Sequence, residues 1–408
     1  MNAEEKKELL AKDCINFHQG LESLIHPSDT VEAGINKVSH KISELMNIKN
    51  VHFLLGAGAS AGAIPTMSNM LDKIKAEAQL PENTQLTSVL DKLITSTSNN
   101  LEQILGLLYS NQAYLNGIGE SDVINSHLIK IIEKNIFESV NINMSSDEAK
   151  KSLEIYKGFY HKLSLRNKDL SRINIFTTNY DLLSETALDH FNINFNNGFG
   201  GGLTRVFNPA RFSYTFSRKL DANLEKYEPL ENLVYLYKLH GSISWIESQD
   251  NSYFNIQEVA IDHAYQSEEE NILIYPTPLK QNKSLGSPYT DLIREFQVKL
   301  LLPHSVLVVI GYSFNDEHIN NVIYQTLASN SSISVVVFGD YSSTPLFQVN
   351  DRRIYKISGE VQMNEQPSKI HYMEYIVNNF IPDLDVNLET ELLKEFKSAM
   401  NTIPKRKE

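Results

Sequence analysis

Four short clusters in this 408-residue chain carry residues suited to holding a phosphorylated ligand or moving a proton. They are Gly56-Ala57-Gly58-Ala59-Ser60, Thr177-Thr178-Asn179-Tyr180-Asp181, Leu239-His240-Gly241-Ser242 and Gly311-Tyr312-Ser313-Phe314-Asn315-Asp316. Gly56 and Gly58 let backbone approach a diphosphate, whose oxygens accept bonds from turn N–H groups. With Ala61 the turn reads G-x-G-x-x-A, the dinucleotide pattern; a tight turn without a ligand would use the same glycines. No Lys-Ser or Lys-Thr follows, which excludes a Walker loop. An ordinary dinucleotide dehydrogenase would end a second strand on an acidic ribose ligand about 20 residues later, but residues 70–80 read as helix. Gly62 and Pro65 interrupt the helix that a nucleotide turn normally opens.

Asn179 and Asp181 offer an amide and a carboxylate at a strand end, fit either for ribose hydroxyls or an ordered water, or for capping the next helix. A neutral imidazole at His240, beside uncrowded Gly241, serves either as a general base or as a structural histidine. Asp316 and His318 form at most a two-ligand metal pair, too few for a tetrahedral site, and capping of the following helix is the alternative. The stretch Gly198-Phe199-Gly200-Gly201-Gly202 reads either as a lid hinge or as a hairpin turn packed by aromatics.

The elements that must position these clusters follow from periodicity. Residues 1–48 read as helices, with Leu9, Leu10, Ile15, Leu21, Leu24 and Ile25 at roughly helical spacing. A strand at 51–55 precedes the first cluster. About a hundred residues of helical pattern then run to 170, too many for one crossover, so part of them forms a separate lobe. Strand-like segments resume at 173–181, 232–245, 271–278, 305–314 and 333–340. Continuous apolar strands alternating with helices argue for an α/β fold with a Rossmann-like parallel sheet covered on both faces. Ligands of such sheets bind beyond the carboxyl ends of the strands, which is where all four clusters fall. The segment 341–408 reads as an appendage ending in a helix.

Composition bounds the rest. Hydrophobic residues make up 41% and charged residues 21%, a globular mix. The formal net charge of −13 argues against a broad nucleic-acid footprint. The single cysteine, Cys14, excludes an intrachain disulfide and a four-cysteine zinc site. The charged opening MNAEEKKELLAKD lacks the apolar core of a signal peptide, and no apolar run approaches membrane-spanning length. A cytoplasmic protein is the expectation.

Taken in order, Gly56-Ala57-Gly58-Ala59-Ser60 with Gly62-Ala63-Ile64-Pro65, then Thr178-Asn179-Tyr180-Asp181, His240-Gly241 and Gly311-Tyr312-Ser313, resemble the motif set of sirtuins. More closely, they resemble the sirtuin-like branch of bacterial anti-phage systems. The resemblance covers roughly residues 50–340 and implies a sirtuin-type fold whose helical lobe, about 85–170, replaces the zinc module as second lobe. It divides the chain into an N-terminal helical segment (1–48), an NAD-binding catalytic domain (49–340) and a C-terminal appendage (341–408). The broken helix after the glycine turn then matches the mobile loop that folds over the nicotinamide ribose. Two departures stand against protein deacylation: one cysteine where the zinc module needs four, and Thr66-Met67-Ser68 where deacylases place Asp-Phe-Arg after the loop proline.

By matching position, the resemblance implies that Gly56, Ala57, Gly58, Ala59 and Ser60 hold the diphosphate and that Pro65 and Thr66 belong to the mobile loop. Asn179 would position the nicotinamide-side ribose or the attacking water, Asp181 would support that pocket, and His240 would be the base. Gly311, Tyr312, Ser313 and Asp316 would line the adenosine side. The implied activity is hydrolysis of NAD to nicotinamide and ADP-ribose, depleting NAD in defence against phage, with NAD as substrate and no metal. The glycosidic bond of NAD already carries a cationic leaving group, so such a site mainly stabilises an oxocarbenium-like ribose and places the nucleophile. The rival expectations are a zinc-free deacylase or ADP-ribosyltransferase, and a module that senses NAD without turnover. A toxic hydrolase needs control, and no nucleic-acid or phage sensor is apparent. The resemblance therefore implies a homo-oligomer and a HerA-type ATPase partner, with no direct contact to nucleic acid or membrane.

Overall fold

The computed structural model describes residues 10–65, 67–78, 84–142, 145–167, 169–220, 225–247, 256–261, 288–363 and 366–382. A short helix, α1 (Ala11–Cys14), enters strand β1 (Ile15–Gln19), followed by β2 (Glu22–Ser23) and α2 (Val31–Met46). Strand β3 (Asn50–Leu55) leads through a 3-10 turn, Ala57–Ser60, to α3 (Met67–Ala78), α4 (Thr84–Ser96), α5 (Leu101–Ile118), α6 (Val123–Val140) and α7 (Asp147–Ser164). Next come β4 (Asn174–Thr177), α8 (Leu183–His190), β5 (Asn194–Asn196), β6 (Phe199–Gly200), β7 (Arg205–Phe207), β8 (Ser217–Lys219), β9 (Tyr227–Pro229), β10 (Leu233–Lys238), β11 (Trp245–Glu247) and β12 (Ile256–Glu258). The described chain continues with α9 (Tyr289–Leu300), β13 (Ser305–Ile310), α10 (Glu317–Ser329), β14 (Ile333–Phe338), α11 (Pro345–Gln348), β15 (Ile354–Met363), β16 (Gln366–Lys369) and α12 (Met373–Asn379).

The main sheet has the order β2-β1-β15-β14-β13-β3-β4-β10-β5, with β16 paired to β15. Strands β15 through β5 of that order are parallel, whereas β1, β2 and β16 pair antiparallel at one side. This is the α/β, Rossmann-like architecture expected. Alternation in β3 shows how both faces are covered. Phe53 and Leu55 join a core shared with α2, α7, α8 and α12, while Leu54 joins Leu307, Val309, Phe296 and Ile323 on the other face. Each of these side chains is essentially buried and contributes about 1.5–3 kcal/mol of apolar transfer.

Helices α3 to α6 build a third apolar core around Ile74, Leu90, Leu105 and Ile132, the helical lobe. Its helices start on polar caps: Asn100 accepts from the Gln103 amide, Asp122 from those of Ile124 and Asn125. Tyr180 and Ile243, which belong to two of the strand tips, bury their side chains in this same core. The lobe therefore packs directly on the loops that carry Asn179 and His240.

Two expectations need correction. Residues 10–30 are mainly strand and turn rather than helix. Ile15, placed in a helical stripe by spacing, instead begins β1, which pairs with β15 in the register Ile15 to Gly359. The boundaries at 48/49 and 340/341 also fail as structural divisions, because the main sheet runs through both: β1 and β15 extend the strands that carry the clusters. The expected strand at 271–278 and the C-terminal helix with Leu388, Leu392, Leu393 and Phe396 lie outside the described residues, as does Leu9.

Candidate functional site at the strand ends

Strands β13, β3, β4 and β10 are adjacent and parallel, and their last residues share one level: Ile310 pairs with Leu55, Leu55 with Thr177, and Thr177 with Lys238. The residue that follows each strand, Gly311, Gly56, Thr178 and Leu239, lies in one of the four clusters. The chain passes from β3 to β4 and β10 on one side and places β13 and β14 on the other, so the glycine turn stands where the winding reverses. Open α/β sheets bind ligands there.

The glycines have a structural cause of their own. A Cβ on Gly56 would lie 2.4 Å from the Tyr312 Cα, and one on Gly58 would lie 2.8 Å from the Gly311 Cα. The Gly56 amide donates to the Ile310 carbonyl and the Gly58 amide to the Gly311 carbonyl, both at 2.9 Å. Gly311 itself has φ +66°, a conformation that costs glycine little. Two tips thus touch backbone to backbone. On the outer side of this contact, Ala57 and Gly58 are exposed, next to exposed Ser313 and half-buried Gly311. The turn itself is a single 3-10 segment, and the chain closes after it with an Ala61–Ile64 bridge around Gly62 at φ +100°. Pro65 is half-buried just beyond, and Thr66 lies outside the described residues.

Ser60, expected to hold the diphosphate with the rest of the turn, points its side chain inward. It is fully buried. Its hydroxyl donates to Asp181 Oδ2 at 3.0 Å and accepts from Asn179 Nδ2 at 3.0 Å. The third partner is the Tyr156 hydroxyl at 2.8 Å. A serine hydroxyl has one proton and two lone pairs. With the proton given to Asp181, Tyr156 must donate, and the hydroxyl is saturated. Burial, then the Asp181 charge, pushes the Tyr156 phenol well above its ordinary range, so it stays a donor. Ser60 therefore joins the glycine turn to the β4 tip. It also fixes the Asn179 amide: one N–H of the NH2 is given to Ser60, which orients the group, and Oδ1 is its acceptor. The other oxygen of Asp181 accepts from the Leu183 amide at 2.9 Å, capping the chain into α8.

His240 is nearly buried and places Nε2 2.8 Å from Asp316 Oδ2. Asp316 Oδ1 accepts from the amides of His318 and Ile319 at 2.8 and 3.2 Å, so this carboxylate caps α10 and holds the imidazole at once. Burial raises the Asp316 pKa, but the His240 hydrogen bond and charge together with the two amides outweigh it, and the net direction is down. A carboxylate accepts only, so in the neutral ring the proton sits on Nε2 and the basic lone pair on Nδ1. Asp316 was expected on the adenosine side; its oxygens are instead occupied by His240 and the helix. Tyr312 also departs from expectation. Its ring is in the core, and its hydroxyl donates to the Asp316 carbonyl or the Asn320 side chain.

The SIR2-like domain family matches residues 173–345. The SIR2-like match contains Asn179, Asp181, His240 and the 311–316 loop; the glycine turn precedes it. Among solved structures, one described as the structural basis for the mechanism and regulation of Sir2 enzymes is 12% identical, with a TM-score of 0.41, covering 89% of this chain and 99% of its own. A Sir2 homologue mutant in complex with 2′-O-acetyl ADP ribose is also 12% identical, with a TM-score of 0.35 over 90% of this chain and 99% of its own. Likeness this distant carries no argument about residues or substrate. No curated protein matches the chain.

Three buried polar residues packed against the tips escaped the sequence reading: Tyr156, which bonds Ser60, and Lys238 with Glu185, which bond behind the β4 tip. Lys238 had a signal, a cation inside the apolar strand LVYLYK. Tyr156 had none, since an aromatic on an amphipathic helix reads as core. The 198–202 glycines resolve in favour of a hairpin: β6 pairs with β7, and a Cβ on Gly198 would meet Phe207 and Phe212. Among the described residues no group of three or more His, Cys, Asp or Glu could hold a metal ion, and no helix is long and apolar enough to cross a membrane.

Proposed function

We propose that this protein is an NAD glycohydrolase, releasing nicotinamide and ADP-ribose. The observation that carries the proposal is the common level of the four tips on adjacent parallel strands. It sets an exposed glycine turn for a diphosphate beside an amide acceptor, Asn179 Oδ1, and an imidazole held by a carboxylate. The SIR2-like match over three of the four tips supports the same reading.

In this reading the diphosphate lies against the exposed Ala57-Gly58 edge of the turn, where Gly58 allows close approach while its amide stays on the Gly311 carbonyl, and Ser313 contributes on the adenosine side. Asn179, unable to rotate its amide without losing Ser60, orients a ribose hydroxyl or a water through Oδ1. His240 accepts a proton at Nδ1, and Asp316 stabilises the imidazolium that results. NAD brings its own cationic leaving group, so these residues need only place the nucleophile and stabilise positive charge on the ribose.

The defence role, the homo-oligomer, the HerA-type ATPase partner and the cytoplasmic setting belong to the same proposal. They rest on the motif resemblance and on the need to hold a self-poisoning hydrolase in check. A deacylase or ADP-ribosyltransferase would use the same tips but pass ADP-ribose to a protein or acyl group. A sensing module would return NAD unchanged. Incubating purified protein with NAD and resolving the products separates these. Equal amounts of nicotinamide and free ADP-ribose are expected; ADP-ribose found only on protein, or intact NAD, would reject the hydrolase.

A further inference from the structure

Behind the Asn179 tip lies a buried cation that none of the roles above uses. Lys238, the last residue of β10, keeps only 1% of its side chain exposed, and its partner Glu185 on α8 keeps 11%. Lys238 Nζ donates to Glu185 Oε1 at 3.0 Å, to the Tyr180 carbonyl at 3.3 Å and, through a short bond, to the Asp181 carbonyl. The Tyr180 carbonyl also accepts from the Ile243 amide at 3.1 Å. The ammonium thus ties the β4 tip to the β10 tip through main chain and pins both to α8. A second carboxylate, Glu258, interacts with the charges of Lys238 and Glu185 and is itself held by Arg205 and Asn197.

Stability does not account for this arrangement. Desolvating two charges costs about as much as their attraction returns, and well-packed apolar replacements are often neutral or stabilising. What an apolar pair cannot do is donate to two carbonyls of a turn. Those carbonyls belong to the two residues that follow Asn179, so the ammonium fixes the main chain from which Asn179 projects.

We propose that Lys238, held in place by Glu185, is a positioning residue for catalysis: its ammonium locks the 179–181 turn against the His240 turn. This deepens the hydrolase reading above and rests on it for its kinetic arm.

Three variants and two readouts test it. Lys238→Met alone leaves Glu185 and Glu258 without their buried cation and can fail to fold, so the decisive variant is Lys238→Met with Glu185→Met, which removes both charges of the pair. The full-length double variant is expected to keep a wild-type-like thermal midpoint while kcat for NAD falls about 100-fold, the scale of a misplaced catalytic group, with KM changed less than about threefold on the same argument. Glu185→Gln, which keeps an acceptor for Lys238, is expected to retain most of kcat. The second readout needs no turnover: amide hydrogen exchange over residues 178–184 should rise at least about tenfold in the double variant, beyond any change in β13, as expected for a local opening. Wild-type kcat in a folded double variant, or unchanged exchange over 178–184, would overturn the proposal. If the wild-type protein does not cleave NAD, the hydrolase reading fails, and the exchange result alone still decides whether Lys238 positions the turn.

Discussion

His52, inside β3, and His240, just past β10, belong to the same sheet but to different chemistry. His52 is 0% exposed; its Nδ1 meets the Asn174 side chain at 3.2 Å and its Nε2 has no hydrogen-bond partner. Burial first, then the charges of Lys299 and Arg166, push its pKa down to about 3. His240 is nearly as buried, at 8% exposed, but has Asp316 against its ring. Burial alone makes an imidazole a neutral packing group, whereas burial beside a carboxylate makes it a base with a defined tautomer. The strand interior and the strand tip differ less in how dry they are than in which partner shares the dryness.

The sharpest way to break the comparison is to remove each ring in turn. His240→Ala is expected to lose about 100-fold or more in kcat, the usual scale of a general base, with the fold intact by circular dichroism. His52→Leu should keep turnover within about threefold, since an interior packing change away from the tips acts on stability. Comparable losses in both would erase the distinction.

Acid stability sharpens it from the other side. The unfolded chain protonates the His52 ring near pH 6.5, the folded chain only near pH 3. The stability contributed by keeping this ring neutral is therefore present above pH 6.5 and lost progressively as pH falls toward 3. Between pH 7 and 5 the His52 contribution should fall by about 2 kcal/mol. Urea midpoints at the two pH values should show this drop in wild type and not in His52→Leu. An identical pH slope in both proteins would mean that His52 is not the buried neutral group described.

A smaller effect is expected at Asp316. Asp316→Ser keeps a capping oxygen for α10 but removes the carboxylate facing His240, and kcat should fall about tenfold, the scale of one charge-assisted hydrogen bond. A loss of thermal stability with kcat unchanged would reduce Asp316 to a helix cap. The smallest expected effect is none: chelator treatment should leave NAD cleavage by the isolated protein unchanged, and loss of activity restored by zinc would show a metal role that the account lacks.

How far these features could be read from the sequence depended on how local their causes are. The parallel strands were legible because burial on both faces writes a continuous apolar run, as in VLVVI at 306–310, and because each run ends in glycine or polar residues. The β1 strand was not, since Leu10, Ile15, Leu21, Leu24 and Ile25 imitate helical spacing, and all five residues of β1 pair with β15, more than 300 residues away, whereas the local hairpin with β2 holds only its last two. At the site, residue types pointed to Asn179 and His240, but not to their partners. That Ser60 faces inward onto Tyr156, that Asp316 bonds His240, and that Lys238 bonds the Tyr180 and Asp181 carbonyls are consequences of tertiary contact between α7, α8, α10 and the tips. No spacing along the chain encodes them.

The central claim is that the β4 and β10 tips act as one catalytic unit on NAD, and a double-mutant cycle on Asn179 and His240 tests it most directly. Steady-state nicotinamide release would be measured for wild type, Asn179→Ala, His240→Ala and the double variant, each confirmed to be folded. The account predicts that each single variant loses about 100-fold and that the double variant is little worse than the weaker single, because residues acting as a unit are strongly non-additive. Near-wild-type release by either single variant, or losses that simply multiply in the double, would contradict it.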